Sequence, residues 1–250
     1  MAVRVLKDYP VELISVDSVM VYKDCDIGSA KPSNEVLRKY PHHLVNIESL
    51  ENIFTVSDFC KESLKLIDKI HDNEKIPLFV GGSMMYFKSL FHGIHDLPGK
   101  DHDYREELNH LKNNNPKNYL YSLLKNIDSV YANQIEENDH IRIIRALEIY
   151  KQSNIKLSDI FKETPKNGIK NNFDVHQFGI HLGRDIIHER IKTRLIEMFD
   201  QGLIEETINI LAKFQISNDH PFRKAVNYKQ TIEFIDGMYP KEILIDKSLY

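Results

Sequence analysis

Two short apolar stretches, VELISVD at residues 11–17 and IPLFVGGS at residues 76–83, determine the expected fold. Each is a run of mainly bulky or β-branched apolar residues that ends in a polar residue or glycine, the pattern of a strand buried on both faces. Between them, residues 56–70 carry apolar side chains at helical spacing, and Ser57 is a candidate cap. Buried strands that alternate with helices predict an α/β fold with a parallel sheet.

The same patterns predict further elements along the chain. We expect strands at residues 43–47 and 175–182, and helices at 2–8, 84–91, 139–150 and 186–201, the last one capped by Gly202. From about residue 101 to residue 160 the chain is polar and helical, without a clear strand pattern. We therefore predict a core in two parts, residues 1–100 and 171–250, interrupted by a helical insertion at residues 101–170.

Composition limits the classes of protein to which the chain could belong. With 250 residues, 42% of them hydrophobic and 28% charged, it suits a globular protein. No apolar run has the length of a membrane span, and the N-terminus lacks the apolar core of a signal peptide. Cys25 and Cys60 lack metal-ligand spacing, so we expect a reducing, cytoplasmic setting without structural zinc. The net charge of −4 means that any nucleic-acid contact must come from local basic patches.

Polar residues follow the predicted strands at the edge where α/β sheets bind ligands. Asp17 could act there as a general base or hold a metal ion. Gly81 and Gly82 would let the backbone approach a phosphate closely, and the Ser83 hydroxyl could donate to it. The alternatives are a helix cap for Asp17 and a simple tight turn for the glycines. Lys31, in the loop DIGSAKP at residues 26–32, could also contact phosphate, although composition alone favours a surface loop.

Basic residues cluster in two further segments. In the helix at residues 139–150, Arg142 and Arg145 lie three residues apart on one face, which suits RNA phosphate, or ion pairs to Asp139 and Glu148. Residues 140–170 contain seven basic and three acidic residues, an excess that favours an anion-facing surface. The segment RKAVNYK at residues 223–229 combines basic residues with an aromatic side chain, as RNA-binding segments do.

Taken together and in order, these blocks resemble one family, the tRNA dimethylallyltransferases. The blocks that carry the resemblance are ISVDS at 14–18 with Tyr22, DIGSAKP at 26–32, PHHL at 41–44, VGGS at 80–83 with Tyr86, ND at 138–139 with RxxRALE at 142–148, the helix containing Arg190, Arg194, Met198, Gly202 and Glu206, and VNYK at 226–229. The resemblance covers essentially the whole chain. It implies a P-loop NTPase-like parallel sheet with an inserted helical domain that grips the anticodon arm.

The resemblance also implies an activity and a set of site residues. A cytoplasmic, monomeric enzyme would transfer a dimethylallyl group from its diphosphate, with Mg²⁺, to the N6 amine of the adenine 3′ of the anticodon in tRNA. Asp17 would be the general base, and Ser83, where the family usually has threonine, would lie near the diphosphate with Gly82 and Lys31. The residues expected to contact the tRNA anticodon stem-loop are Asp17, Ser18, Val19, Met20, Arg105, Ile141, Arg142, Ile143, Ile144, Arg145, Lys224, Ala225, Val226, Asn227, Tyr228 and Lys229.

The sequence also departs from the family pattern. Such enzymes begin with a strand and a Gly-x-x-x-x-Gly-Lys-Thr loop that binds diphosphate, and no such motif occurs in the 250 residues. The family's C-terminal basic helix is expected beyond Tyr250, Asn227 replaces the usual glycine, and Lys224 stands where related enzymes have arginine. A misplaced start codon, a fragment and a decaying gene all fit these departures. The activity could then be reduced to tRNA binding without catalysis, while a small-molecule kinase is disfavoured.

Overall fold

The computed structural model describes residues 2–249, which form a three-stranded sheet and fourteen helices. The strands are β1 (Val11–Val16), β2 (His42–His43) and β3 (Ile76–Gly81). The helices are α1 (Ala2–Asp8), α2 (Asn34–Lys39), α3 (Val56–Asp72), α4 (Met84–His92), α5 (His102–Asn114), α6 (Tyr119–Ile127), α7 (Ser129–Ala132), α8 (His140–Ser153), α9 (Leu157–Ile160), α10 (Arg184–Asp200), α11 (Leu203–Lys213), α12 (Pro221–Lys224), α13 (Tyr228–Ile235) and α14 (Lys241–Leu249).

The sheet is parallel throughout, with the strand order β2-β1-β3. β1 lies at its centre, and Leu13, Ile14 and Val16 are fully buried there, as the apolar pattern predicts. β2 is shorter than predicted because Leu44 and Asn46 adopt positive φ angles of 62° and 57°, which end the extended conformation. The predicted α/β class with a parallel sheet is confirmed.

Helix α3 packs against β3 and matches its predicted position. Its cap, however, is Thr55 and not Ser57: the Thr55 hydroxyl accepts the N–H of Asp58, and the Asp58 carboxylate accepts the N–H of Thr55. This reciprocal capping box satisfies two backbone groups at once, so it outcompetes a lone serine further along. The helix buries Phe59, Ile67 and Ile70.

One predicted strand, residues 175–182, is absent from the structure, and that prediction is wrong. The segment has no regular secondary structure, and Phe178 and Ile180 are 89% and 69% exposed. A β-branched pattern forms a strand only where a neighbouring strand supplies hydrogen bonds, and this segment has no strand partner within residues 2–249. In the part of the chain that the structure describes, β3 is likewise paired on one side only, by β1, and Ile76 at its start is 54% exposed.

The chain divides into two compact units, each with its own core. Unit 1 comprises Met1–Ser89 and Val175–Tyr250 and contains the sheet, whereas unit 2 comprises Leu90–Asp174. The core of unit 2 is built by side chains of helices α5 to α9, among them Leu108, Leu124 and Ile143, each at most 1% exposed. Within residues 2–249, none of the helices combines the length and apolar composition that crossing a membrane requires.

Candidate functional site

The candidate site in unit 1 lies at the carboxyl ends of β1 and β3. Val16 pairs with Gly81 at the last position of the ladder, and the N–H of Ser83 donates to the carbonyl of Val16 over 3.2 Å. Asp17 follows Val16 directly, so the ladder brings the backbone of Asp17 and of Ser83 to the same edge of the sheet. These two predicted catalytic residues are therefore neighbours at the edge where open α/β sheets bind ligands.

Asp17 both shapes this edge and presents a carboxylate to it. Its Oδ1 accepts the backbone N–H groups of Val19 and Met20, at 2.8 and 2.9 Å, which fixes the turn that follows β1. The alternative of a helix cap is wrong, because a turn and not a helix follows Asp17. Asp17 instead caps this turn. It uses one carboxylate oxygen, and Oδ2 has no hydrogen-bond partner among the described residues, so a base function and a capping function are compatible.

The two glycines after β3 differ in what their surroundings require. A Cβ on Gly81 would lie 2.1 Å from the carbonyl oxygen of Val16, so packing against β1 demands glycine there. A Cβ on Gly82 would meet no atom within 4 Å. Gly81 therefore serves the fold, whereas the open space beside Gly82 leaves its backbone accessible to a ligand.

Ser83 joins β3 to helix α4. Its carbonyl accepts the N–H groups of Tyr86 and Phe87, while its hydroxyl makes no hydrogen bond to the described residues. Tyr86 is buried and stacks on Phe59 at a centroid distance of 4.5 Å, and its burial raises the pKa of the Tyr86 phenol. The buried Tyr86 ring thus fixes the start of α4. The Ser83 hydroxyl and the N-terminal backbone N–H groups of α4 are donors that suit the binding of an anion.

Lys31, expected to bind diphosphate, has a different role in this structure. Its side chain is 2% exposed, and Nζ donates to the carbonyl of Tyr22, the carboxylate of Asp26 and the side-chain oxygen of Asn46, all within 2.8 Å. An ammonium group has three donors, so none remains for a phosphate. Lys31 stabilises its own loop, and we exclude it from the diphosphate site.

The basic segment at residues 224–229 presents only part of its side chains to solvent. Lys224 and Lys229 are exposed and Val226 is 66% exposed, whereas Tyr228 is fully buried. Asn227 takes a φ of 75°, a left-handed conformation that glycine adopts without strain, which explains why glycine would be favoured at this position. The two lysines and Val226 form the accessible surface of this segment.

In unit 2, the start of α8 carries the exposed basic residue that the sequence predicted. Asp139 caps the helix by accepting the N–H of Arg142, and its other oxygen pairs with the Arg142 guanidinium at 2.5 Å. The Arg142 side chain is 64% exposed and Ile141 is 83% exposed. By contrast, Ile143 is fully buried in the core of unit 2 and Ile144 is partly buried.

Two other predicted RNA-binding residues, Arg105 and Arg145, point inward to Glu148. Arg105 donates to both carboxylate oxygens at 2.6 and 2.9 Å, and Arg145 donates to Oε2 and to the carbonyls of Pro98 and Gly99. The Glu148 side chain is fully buried. Burial alone would raise the pKa of Glu148, but the hydrogen bonds from both arginines outweigh it and lower the pKa to about 2.

These ion pairs change the predicted roles of Arg105 and Arg145. The i,i+3 spacing of Arg145 and Glu148 had already indicated an ion pair as the alternative to RNA binding. Arg105 lies 43 positions before Glu148, and no local sequence pattern indicates a pair at that separation. Sequence reasoning also gave no role to Glu206, whose carboxylate accepts four hydrogen bonds. Within residues 2–249, no group of three or more His, Cys, Asp or Glu side chains is arranged to hold a metal ion.

Comparison with known proteins identifies the family. The family model for IPP transferase matches residues 20–249. The chain is 36% identical over 226 residues to the tRNA dimethylallyltransferase of Psychrobacter arcticus, covering 90% of this chain and 54% of that protein. It is 34% identical over 244 residues to the tRNA dimethylallyltransferase of Acinetobacter baumannii strain ATCC 17978, covering 96% and 77%. The chain thus spans about half the length of the first of these relatives and three quarters of the second.

A solved structure agrees with the sequence relatives. The tRNA isopentenylpyrophosphate transferase of Bacillus halodurans matches 99% of this chain and 76% of its own, with 32% identity and a TM-score of 0.65. The mixed α/β structure with a small parallel sheet is therefore that of the tRNA isopentenylpyrophosphate transferases, which have a P-loop NTPase-like fold. Because the family model matches residues 20–249 of the 250, this chain belongs to the IPP transferase family.

Proposed function

We propose that this chain acts in tRNA prenylation, transferring a dimethylallyl group from dimethylallyl diphosphate to the N6 amine of the adenine 3′ of the anticodon. The two relatives described above are named tRNA dimethylallyltransferases. The observation that carries the proposal is the edge of the sheet at which Asp17 and Ser83 are neighbours, because this edge pairs a carboxylate with a free hydroxyl beside open space.

In the proposed reaction, the N6 amine of the flipped adenine attacks C1 of the dimethylallyl group. The new N6–C1 bond forms as the bond from C1 to the diphosphate oxygen breaks, and the diphosphate leaves with that electron pair. The carboxylate of Asp17 accepts the proton that the amine loses. The Ser83 hydroxyl, together with the Gly82 backbone, binds the departing diphosphate. Asp17 keeps its orientation because its Oδ1 is held by Val19 and Met20.

RNA contacts are proposed for the accessible members of the predicted set. In unit 1 these are the turn Ser18–Met20, Lys224, Val226 and Lys229; in unit 2 they are Ile141 and Arg142. Cations bind phosphate, and exposed apolar side chains can contact unstacked bases. The remaining members of the predicted set are proposed to support these surfaces. In unit 1 they are Ala225, Asn227 and Tyr228. In unit 2 they are Arg105, Ile143, Arg145 and the partly buried Ile144.

Mg²⁺ is the divalent ion that we propose for the diphosphate, because it would neutralise the charge of the leaving group. Among residues 2–249, the His, Cys, Asp and Glu side chains do not come together in a group of three or more that could hold the ion. The proton transfer to Asp17 and the hydrogen bond from Ser83 are made by this chain's own side chains. The helical unit 2 is proposed as the anticodon-binding insertion, and the molecule as a cytoplasmic monomer.

The proposal is tested by prenyl transfer to an unmodified anticodon stem-loop, with dimethylallyl diphosphate, Mg²⁺ and detection of the product nucleoside by mass. Asp17→Asn preserves the oxygen that accepts Val19 and Met20 but removes the base, so we expect turnover to fall by about 10²–10⁴. Asp68→Asn, an exposed position on α3, is the matched control and should leave turnover unchanged. Equal rates for both variants would refute the base role, and stem-loop binding without product would leave RNA recognition as the function.

The diphosphate site is tested by the pair of glycines. The Cβ that Gly82→Ala adds would have no protein atom within 4 Å, so we expect normal stability. Because the added Cβ would occupy the open space proposed for the diphosphate, we expect a higher KM for dimethylallyl diphosphate. Gly81→Ala would drive a Cβ into the Val16 carbonyl, and we expect a loss of stability of about 1–3 kcal/mol from overpacking. Thermal melts and steady-state kinetics on the two variants separate these effects. An unchanged KM in Gly82→Ala would remove Gly82 from the site.

A further inference from the structure

The carboxylate of Glu206, on helix α11, connects two segments that are remote in sequence. Its Oε2 accepts the backbone N–H groups of Asp26 and Ile27 at 3.1 and 2.8 Å, and Oε1 accepts the N–H of Gly28 at 3.0 Å. Oε1 also accepts the hydroxyl of Tyr228 at 2.6 Å. Four donors on one carboxylate fix both its rotamer and the position of each donor.

Steric fit reinforces this connection. A Cβ on Gly28 would lie 2.5 Å from Cζ of Tyr228, so the loop and the aromatic ring touch directly. The side-chain amide of Asn227 donates to the carbonyl of Gly28 at 3.1 Å, which adds a second link between the same two segments. Tyr228 is fully buried, and burial, with the nearby negative charge of Glu206, raises the pKa of its phenol, so the hydroxyl remains a donor.

The loop that Glu206 holds is connected in turn to the Asp17 turn. Lys31, at the end of this loop, donates to the side-chain oxygen of Asn46 at 2.6 Å. The backbone N–H of Asn46 donates to the carbonyl of Met20 at 3.1 Å, and Met20 belongs to the turn that Asp17 caps. Lys31 also donates to the carboxylate of Asp26 at 2.7 Å. Hydrogen bonds and short stretches of backbone within unit 1 therefore connect the candidate base to the basic segment.

We infer that Glu206 is a positioning residue that holds the exposed part of the 224–229 segment in a fixed place relative to Asp17. The inference rests on the proposed function, because the segment matters there as an RNA-contacting surface. Glu206 touches neither substrate in this assignment. Its role is to order Lys224 and Val226 before the RNA arrives, so that binding does not have to order them.

The first experiment measures amide hydrogen exchange of the peptide covering residues 221–230, which needs no substrate. Glu206→Gln keeps the size of the side chain, but one carboxylate oxygen becomes an NH₂ group that cannot accept the loop amides. We expect faster exchange in this peptide, whereas Glu205→Gln, an exposed neighbour with the same charge change, should exchange like the wild type. Unchanged exchange in Glu206→Gln would overturn the inference.

The second experiment separates positioning from general structural damage. In Glu206→Gln we expect the KM for the stem-loop to rise about tenfold, the effect of losing roughly one hydrogen bond to a charged group. The KM for dimethylallyl diphosphate should change by less than about twofold. A uniform loss in kcat with both KM values unchanged would overturn the inference, and Tyr228→Phe should reproduce the rise in the KM for RNA to a smaller extent.

A double-mutant cycle with Lys224 provides the sharpest criterion. Lys224→Gln should weaken stem-loop binding in the wild type but add little in the Glu206→Gln background, because the lysine is already misplaced there. Additive effects would overturn the inference. If the wild-type chain neither binds nor prenylates the stem-loop, the proposed function fails; faster exchange would still establish that Glu206 holds the segment, so the two failures are distinguishable.

Discussion

Two carboxylates, Glu148 in unit 2 and Glu206 in unit 1, organise the segments around them in different ways. Glu148 is fully buried and accepts hydrogen bonds from two guanidinium groups, those of Arg105 and Arg145, and from one backbone N–H, that of Asp101. Glu206 is bound by three backbone N–H groups and one phenol, all neutral donors. The first arrangement joins charged groups of α5 and α8 within unit 2, so its removal takes the shared acceptor away from both guanidinium groups. The second fixes the position of loops, so its removal should mainly loosen them.

The largest expected effect is on unit 2. Glu148→Ala removes the buried carboxylate to which Arg105 and Arg145 both donate, and we expect a loss of about 3–5 kcal/mol in the free energy of unfolding. Urea denaturation followed by far-UV circular dichroism measures it, with hydrogen exchange of the 140–153 peptide to locate the change in unit 2. Glu137→Ala, at an exposed position, is the control. A loss below about 1 kcal/mol would mean that the arginines find water or other partners at little cost.

The same carboxylate predicts how stability depends on pH. Because the pKa of Glu148 is about 2 in the folded protein, below its usual value of 4.5, the stabilisation is complete above about pH 5 and is lost as pH falls from about 4.5 toward 2. The pKa difference of Glu148 between the folded and the unfolded protein contributes on the order of 3 kcal/mol to the free energy of unfolding. Urea midpoints for the wild type and Glu148→Gln should differ most near neutral pH and converge near about pH 2. Parallel pH profiles would contradict the assigned ion pairs.

Features that depend on local sequence were predictable, whereas features that depend on tertiary contacts were not. The strands β1 and β3 and the helix α8 were predicted because their apolar periodicity is local, and the cap at Asp139 is local as well. Arg105 and Glu206 find partners 43 and 180 positions away, and Lys31 is held by three groups that its loop brings together from 5 to 15 positions away. A basic residue that binds phosphate and one that binds a buried carboxylate look alike in sequence, since only the tertiary contact separates them.

The predicted strand at residues 175–182 failed for a related reason. Its β-branched and aromatic residues have the right propensity, yet Phe178 and Ile180 are exposed, and no strand within residues 2–249 pairs with the segment. Propensity describes how well a residue fits a sheet, and the sheet itself must supply the hydrogen bonds. The residues assigned to catalysis and to RNA contact remain predictions, because their roles depend on substrates.

A smaller effect is expected where Glu206 is bound by a neutral donor. Tyr228→Phe keeps the buried ring and removes the hydroxyl that donates to Glu206, and we expect a loss of about 1.5–3 kcal/mol in the free energy of unfolding. Tyr9→Phe is the control, because Tyr9 is 61% exposed. Denaturation of both variants side by side gives the difference. If the two variants are equally stable, the hydrogen bond at Glu206 orients Tyr228 without stabilising the fold, which would widen the contrast with Glu148.

The smallest effect on stability is expected at Arg142, whose partner Asp139 holds it at the surface. An exposed ion pair contributes about 0–1 kcal/mol, so Arg142→Gln should unfold at nearly the same urea concentration as the wild type. Its effect on RNA should be larger and electrostatic: the slope of log K against log salt for stem-loop binding should fall by about 1, the loss of one phosphate contact. Lys162→Gln, which removes an equally exposed cation paired i,i+3 with Asp159, is the matched control. If both variants shift the slope equally, RNA binding depends on the general charge of unit 2 and not on Arg142 itself. If only Arg142→Gln shifts the slope, the start of α8 contacts the phosphate backbone. The outward-facing Arg142 then differs in function from its inward-facing neighbour Arg145.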